Sequence, residues 1–336
     1  MSITARGFRM VTVLLAVLWS CTSGLAQSVA PTLTLNEWLT RVHQATNHKT
    51  YTGTFVVSSG SVMASAKIWH VCDGTQQMER VVPLTGTSRV TYRHNDQVIT
   101  FYPASKRAIV ERRESLGFFS DFLKTVDPSI GEFYQFGVQG TERIAGFEAD
   151  VVHLVPVDRL RYGWKIWSEQ KTGLVLQLQT LDLDGQVLEQ SAFSELQLNA
   201  PVKMAQLSHL MAQTNGYRVE HPEKVATSAQ EQGWALHKGV PGFRALGCYQ
   251  HPVRESGGAS GQNSRAMQWV FSDGLSSVSV FVEPYDARRH VREGASALGG
   301  ATHSLTRRIN AWWATAVGEV PVSTLNVFVQ GLERTR

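Results

Sequence analysis

Apolar residues recur along this chain at two periods. In TLNEWLTRVHQATNH, residues 34–48, Leu35, Trp38, Leu39 and Val42 fall at i, i+3, i+4 and i+7. That is the stripe of an amphipathic helix. Thr34 and Glu37 place a capping box in front of it. From Tyr51 the period drops to two. YTGTFVV, ASAKIWHV, MERVVPL, SRVTYRHN, QVITFYP and RAIVERR are short runs separated by SSG, CDGT, LTGTS, HND and PASK. Such spacing predicts an antiparallel meander and excludes a parallel α/β sheet.

LGFFSDFLK, residues 116–124, interrupts the meander with Leu116, Phe118, Phe119, Phe122 and Leu123. It predicts a helix or flap packed on one sheet face. The strands then resume with EFYQFGVQGTERIAG, EADVVHLVPVD, YGWKIWSEQ, LVLQLQTLD and QVLEQSAFSEL, with KTG and Asp184-Gly185 closing consecutive hairpins. LDLDG also resembles the start of a calcium loop. With Gly185 as position 6, position 1 is Thr180 and position 12 is Ser191. Neither end supplies the required carboxylate. Asp-Gly between two strand runs predicts a tight type I′ hairpin instead.

The texture changes at Asn199. Residues 199–232 are polar and mixed, with a short helix predicted around Met204–Gln213, and read as an inter-domain connection. From Gly233 a smaller domain begins. RAMQWVFSDGLSSVSVFVEP predicts a hairpin across Asp273-Gly274, and THSLTRRINAWWATAVGEV another. PVSTLNVFVQGLERTR predicts a last helix, with Pro321 in its first turn and Val322, Leu325, Val329 and Leu332 as its stripe.

The N-terminus belongs to no domain. Arg6 and Arg9, the apolar VTVLLAVLW and the small residues of GLAQ predict a Sec-type signal peptide, residues 1–26, cut after Ala26. The chain beyond it is expected in the periplasm. Its formal charge is then only +2, so the basic isoelectric point does not imply nucleic acid. Two of the three cysteines remain, Cys72 and Cys248. Export permits a disulfide between them. Two buried free thiols are the alternative.

No nucleophile elbow, zinc-binding helix, P-loop or C-x-x-C pair is present. The histidines are scattered, and the one carboxylate pair, Asp182 and Asp184, is taken by the turn. A binding protein without catalytic residues, metal or cofactor is therefore expected. Candidate binding residues are aromatic and basic. Trp164, Ile166 and Trp167 share one strand, whose alternation points the two tryptophans to opposite faces. Either both faces are covered, or one face, together with the five flap residues, holds an acyl chain. Arg89, Arg93, Lys106, Arg107, Arg112 and Arg113 form either a solvated face or a site for lipid phosphates. Trp269 and Phe271 are candidates for contact with a partner protein.

The ordered series YTGTFVV, MERVVPLTGTSRVTYRHNDQVITFYP, VQGTERIAGFEADVVHLVPVDRLRYGWKIWSEQKTGLVLQLQTLDLDGQVLEQ, VPGFRAL, VFSDGLSSVSVFVEP and GATHSLTRR with AVGEVP resembles the RseB/MucB family of periplasmic regulators of the envelope-stress sigma factor. The resemblance covers nearly all of the chain after the signal peptide. It implies an α+β protein. Residues 27–198 would form a half-open antiparallel β-barrel wrapped on helices, similar to the LolA/LolB lipoprotein carriers. Residues 233–336 would form a small α/β domain. It implies a negative regulator that binds the periplasmic segment of a membrane-spanning anti-sigma factor and shields it from site-1 protease. Lipopolysaccharide or a related acylated lipid would release it, and a homodimer is open. A lipid or lipoprotein carrier using the same barrel is the alternative, but simple carriers resemble the first domain alone.

Overall fold

The computed structural model describes residues 33–112, 129–253 and 265–335. The five predicted flap residues and Arg113 lie outside them.

Helix α1 (Leu35–His48) forms as its stripe predicts. The Glu37 N–H donates to Thr34 Oγ1 at 3.3 Å, and the Thr34 N–H donates to Glu37 Oε2 at 2.8 Å. The meander follows as β1 (Tyr51–Ser59), β2 (Val62–Cys72), β3 (Gln77–Pro83), β4 (Val90–His94), β5 (Gln97–Tyr102) and β6 (Arg107–Arg112). Beyond a single turn, α2 (Ile130–Phe133), it continues as β7 (Tyr134–Ile144), β8 (Phe147–Pro156), β9 (Gly163–Glu169), β10 (Val175–Leu181) and β11 (Val187–Leu198). These strands join β12 (Arg218–Glu220) in one sheet of twelve, ordered β12-β6-β5-β4-β3-β2-β1-β11-β10-β9-β8-β7. Only β12 runs parallel to its neighbour. The end strands β12 and β7 do not pair, so the sheet stays open.

Its curvature follows from its core. Trp38, Leu39, Val42 and Ala45 of α1 share one buried cluster with Val81 of β3, Phe55 of β1, Trp164 and Ile166 of β9 and Val152 of β8. Flat, β3 and β8 would lie roughly 29 Å apart at about 4.8 Å per strand. A helix is only about 10–12 Å across. The sheet therefore curls around α1. Trp38 fixes the helix in place by donating from Nε1 to the buried Ser168 Oγ at 3.0 Å.

Residues 199–232 do not form a free linker. They hold α3 (Met204–Met211), β12 and β13 (Val225–Thr227). Leu207 and Met211 of α3 bury against Val71, Met78, Tyr92, Ile99 and Phe101, on the sheet face opposite α1. Arg107 of β6 grips Glu220 of β12 with two hydrogen bonds, 3.0 and 2.8 Å, and holds its carboxyl down at about 2.

The remaining strands are β14 (Trp234–Leu236), β15 (Arg244–Pro252), β16 (Arg265–Ser272), β17 (Ser277–Pro284), β18 (Gly294–Gly299), β19 (Thr302–Ile309), β20 (Trp312–Gly318) and β21 (Leu332–Arg334). Seven strands build a second sheet, β13-β15-β16-β17-β20-β19-β18, and β14 pairs with β21. Helix α4 (Val322–Gly331) covers the second sheet. Leu325 and Val329 are buried as predicted. Phe328, absent from the predicted stripe, is fully buried beside them, and Leu332 falls in β21. Pro321 stands at the N-cap, one position earlier than expected.

Candidate functional site

The two sheets meet at Arg161, in the loop between β8 and β9. Its Nη1 donates to Asp273 Oδ2 at 2.9 Å, its Nη2 to Asp158 Oδ2 at 3.1 Å, and it also reaches the Pro241 carbonyl at 2.6 Å. The guanidinium lies 4.5 Å from the Phe133 ring centre and 5.5 Å from that of Phe243. Arg161 and Asp273 have no solvent exposure. Asp273 belongs to the predicted β16–β17 hairpin, where its Oδ1 accepts from the N–H groups of Leu275 and Ser276 at 3.0 and 2.7 Å. Its second oxygen accepts from Arg161 and, at 3.1 Å, from the Tyr134 hydroxyl. Burial, and then the Asp273 charge, pushes the Tyr134 phenol well above its ordinary range.

Leucines cross this junction in both directions. Leu275 of the second sheet packs on the core around α1, and Leu160 packs on the core around α4. Thr324 of α4 donates to the Leu160 carbonyl at 2.6 Å. Gly242, at φ +84°, lies so close to the Phe133 ring that a Cβ would stand 2.7 Å from it. The junction is thus a packed, charge-centred joint and not a loose hinge.

A second polar cluster sits inside the first sheet. His70 Nδ1 lies 2.8 Å from Glu79 Oε1, and Arg93 Nε donates to Glu79 Oε2 at 2.8 Å. Tyr51 stacks on the His70 ring at 4.8 Å. Burial pushes the Glu79 carboxyl up. The hydrogen bond from His70 and the charge of Arg93 outweigh that and hold it far below the carboxylate range. Arg93 is therefore buried and committed to Glu79, and does not serve as a surface site for phosphate.

The other basic candidates are dispersed. Arg107 is engaged by Glu220, Arg112 is exposed 3.7 Å from Asp96, Arg89 is exposed just before β4, and Lys106 is exposed on a turn. Trp164 and Ile166 are buried in the core around α1. Trp167 is buried on the opposite face with Ala149, Val151 and Leu176, and donates to Glu142 at 2.9 Å. Both faces of β9 are thus covered. Phe271 is buried under α4 beside Phe328, where it offers no surface to a partner, and Trp269 packs half-buried next to it.

Of the two readings of Cys72 and Cys248, the structure has the free thiols and not the bridge. Cys72 ends β2 and contacts the Lys49 carbonyl, whereas Cys248 lies in the second core. Burial raises each to about 11. The Asp182 turn also differs from the expected type I′. Only Gly185 has positive φ, and the register shifts at Leu181, so the loop is a bulged three-residue turn. Asp182 Oδ1 accepts from the N–H groups of Asp184 and Gln186 at 2.9 and 2.8 Å. No cluster able to hold a metal occurs among the described residues.

One cleft offers both apolar and cationic character. It lies between α3 and β1–β3 and encloses about 310 Å³. Val202, Leu207 and Leu210 wall one side. Opposite, Arg80 stacks 4.3 Å from the Trp69 ring centre and donates to the Tyr92 hydroxyl at 3.2 Å. Sequence reasoning missed this cleft because its two walls are about 130 residues apart.

Comparison with known proteins agrees with this two-sheet architecture. Residues 34–211 match the MucB/RseB N-terminal domain, and residues 228–333 match the MucB/RseB C-terminal domain. The sigma factor AlgU regulatory protein MucB of Pseudomonas aeruginosa is 28% identical over 301 residues, covering 86% of this chain and 87% of that one. The sigma-E factor regulatory protein RseB of Haemophilus influenzae is 23% identical over 305 residues, covering 90% and 91%. Among solved structures, MucB in complex with MucA(peri) superposes with a TM-score of 0.68 at 23% identity, covering 90% of this chain and all of that one. With both domain families matched in order along nearly the whole described chain, this protein belongs to the MucB/RseB family.

Proposed function

We propose that this protein is a periplasmic negative regulator of an envelope-stress sigma factor. In this reading it binds the periplasmic segment of a membrane-spanning anti-sigma factor and shields that segment from proteolysis. One observation carries it: the two MucB/RseB domain families tile residues 34–211 and 228–333 of one chain. Simple lipoprotein carriers resemble the first domain alone, whereas here a buried joint fixes a second domain to it. No catalytic group is needed, because shielding is a matter of covered surface.

An acylated envelope lipid is the proposed release signal. The cleft under α3 supports this, since an acyl chain fits its apolar wall and an anionic headgroup fits Arg80. The test is a pull-down from envelope extract with residues 27–336 as bait, read by mass spectrometry. Recovery of a single-pass protein with a cytoplasmic sigma-binding domain, lost when lipopolysaccharide is added, supports the regulator. Recovery of assorted lipoproteins without such a partner contradicts it and favours the carrier.

A further inference from the structure

The second sheet ends on β18, and no described strand pairs with its outer edge. All six residues of β18, GASALG, are exposed. It carries neither a charged side chain nor a proline, the devices that ordinarily blunt an edge. The long edge of the first sheet, β7, is built differently. Gly140 breaks its register, and the exposed Glu142 and Arg143 stand on it. In β18 the register shifts only near the end, between Ala297 and Gly299. Its outward N–H and C=O groups are left to solvent, and an extended chain satisfies them by adding a strand.

The surroundings specify the kind of chain. Arg292 lies two residues before Gly294, Arg307 follows Thr306, the register partner of Gly294, and Arg288 stands in the preceding loop; all three are exposed and form no ion pair among the described residues, and Glu293 is an exposed acid beside Arg292. Thr306 Oγ1 lies 3.2 Å from the carbonyls of both Arg292 and Gly294, which fixes Arg292 at the entry to the strand. Residues 233–336 as a whole carry eleven Lys and Arg against seven Asp and Glu. At the far end Leu298 is 59% exposed. At the turn after it, a Cβ on Gly300 would meet the Glu189 carboxylate of β11 and Ser59 of β1, so the far end of the edge stands beside the β1–β2 hairpin. On that hairpin Val62 and Met63 are 66% and 70% exposed.

We propose that β18 is the docking edge for an extended segment of a partner protein, acidic where it meets Arg288, Arg292 and Arg307 and apolar where it meets Leu298, Val62 and Met63. The proposal rests on the regulator reading and deepens it: the segment is part of the anti-sigma factor's periplasmic tail. Main-chain pairing supplies the fit, and the two ends supply the direction.

Hydrogen exchange of residues 27–336, with and without the purified periplasmic tail, tests this. Bound tail slows exchange at 294–299. The double variant R292E/R307E, with both changes on exposed positions, weakens binding about tenfold at low salt and less at high salt. M63D/L298D weakens it independently of salt. Tail that binds without protecting 294–299, and equally well to both variants, overturns the edge while leaving the regulator standing. Protection that grows with the chain's own concentration in the absence of tail assigns the edge to a second copy and also overturns it. A wild-type chain that binds no tail overturns the regulator reading and this proposal with it.

Discussion

Arg161 and Asp273 form a fully buried ion pair, 2.9 Å apart, that joins the two sheets across 112 residues of sequence. Breaking a buried pair from one side leaves an uncompensated charge, which typically costs about 3–5 kcal/mol. Asp273→Asn should therefore destabilise the protein by about 3 kcal/mol, at the low end because Asp158 still holds Arg161. Urea unfolding measures this. The variant is also expected to split one transition into two as the sheets uncouple. A loss below about 1 kcal/mol with a single unchanged transition would show that the pair does not carry the joint.

The Glu79 cluster predicts an acid limit. The folded-state carboxyl lies below its ordinary 4.5. Its stabilising contribution is thus complete above about pH 4.5 and is lost as pH falls toward the folded value. Unfolding midpoints should drop steeply from pH 5 to pH 3, and in Glu79→Gln the drop should be shallower, from a lower starting stability. Equal slopes for both proteins would remove Glu79 as the cause.

Glu189 has the opposite sign. Burial raises its carboxyl, and the Ala301 N–H only partly offsets this. Its folded-state value exceeds the unfolded one, so stability is lost as pH rises through the folded value. Glu189→Gln keeps an acceptor for Ala301 and removes the charge. It should stabilise the protein at pH 7 and leave it unchanged near pH 4. Thermal melts at both values decide this, and a destabilised variant at pH 7 would contradict it.

The cysteines should be slow to react. With both thiols raised to about 11, the thiolate is scarce at neutral pH. Alkylation of the folded protein at pH 7.5 should lag well behind that of the urea-unfolded chain, with two thiols counted in each. Counting none without reductant would mean that the pair is oxidised after all.

The sequence carried the local elements well and the long-range pairs poorly. The α1 stripe and capping box, and the β1–β6 and β7–β11 runs, are set by residues a few positions apart. Nothing of that kind announces Arg161, since DRLRYG reads as a solvated turn. Glu79 did leave a trace. It shares strand parity with the buried Val81, so a charge faces inward there, and Arg93 lies directly across from it on β4. Reading inward parity for charged residues would have separated Arg93 from the exposed Arg89 and Lys106. Phe271 and Trp164 stay ambiguous in the sequence because aromatic residues serve cores and binding surfaces alike. Only the helices packed on them, α4 and α1, decide between the two.

The proposed role requires that the chain shield the anti-sigma factor, and protection from protease measures that shielding. Anti-sigma factor reconstituted in vesicles is exposed to site-1 protease with increasing amounts of residues 27–336. The regulator account predicts that cleavage slows roughly tenfold or more at saturation and recovers when lipopolysaccharide is added. Cleavage at an unchanged rate, with the chain demonstrably bound, would contradict it.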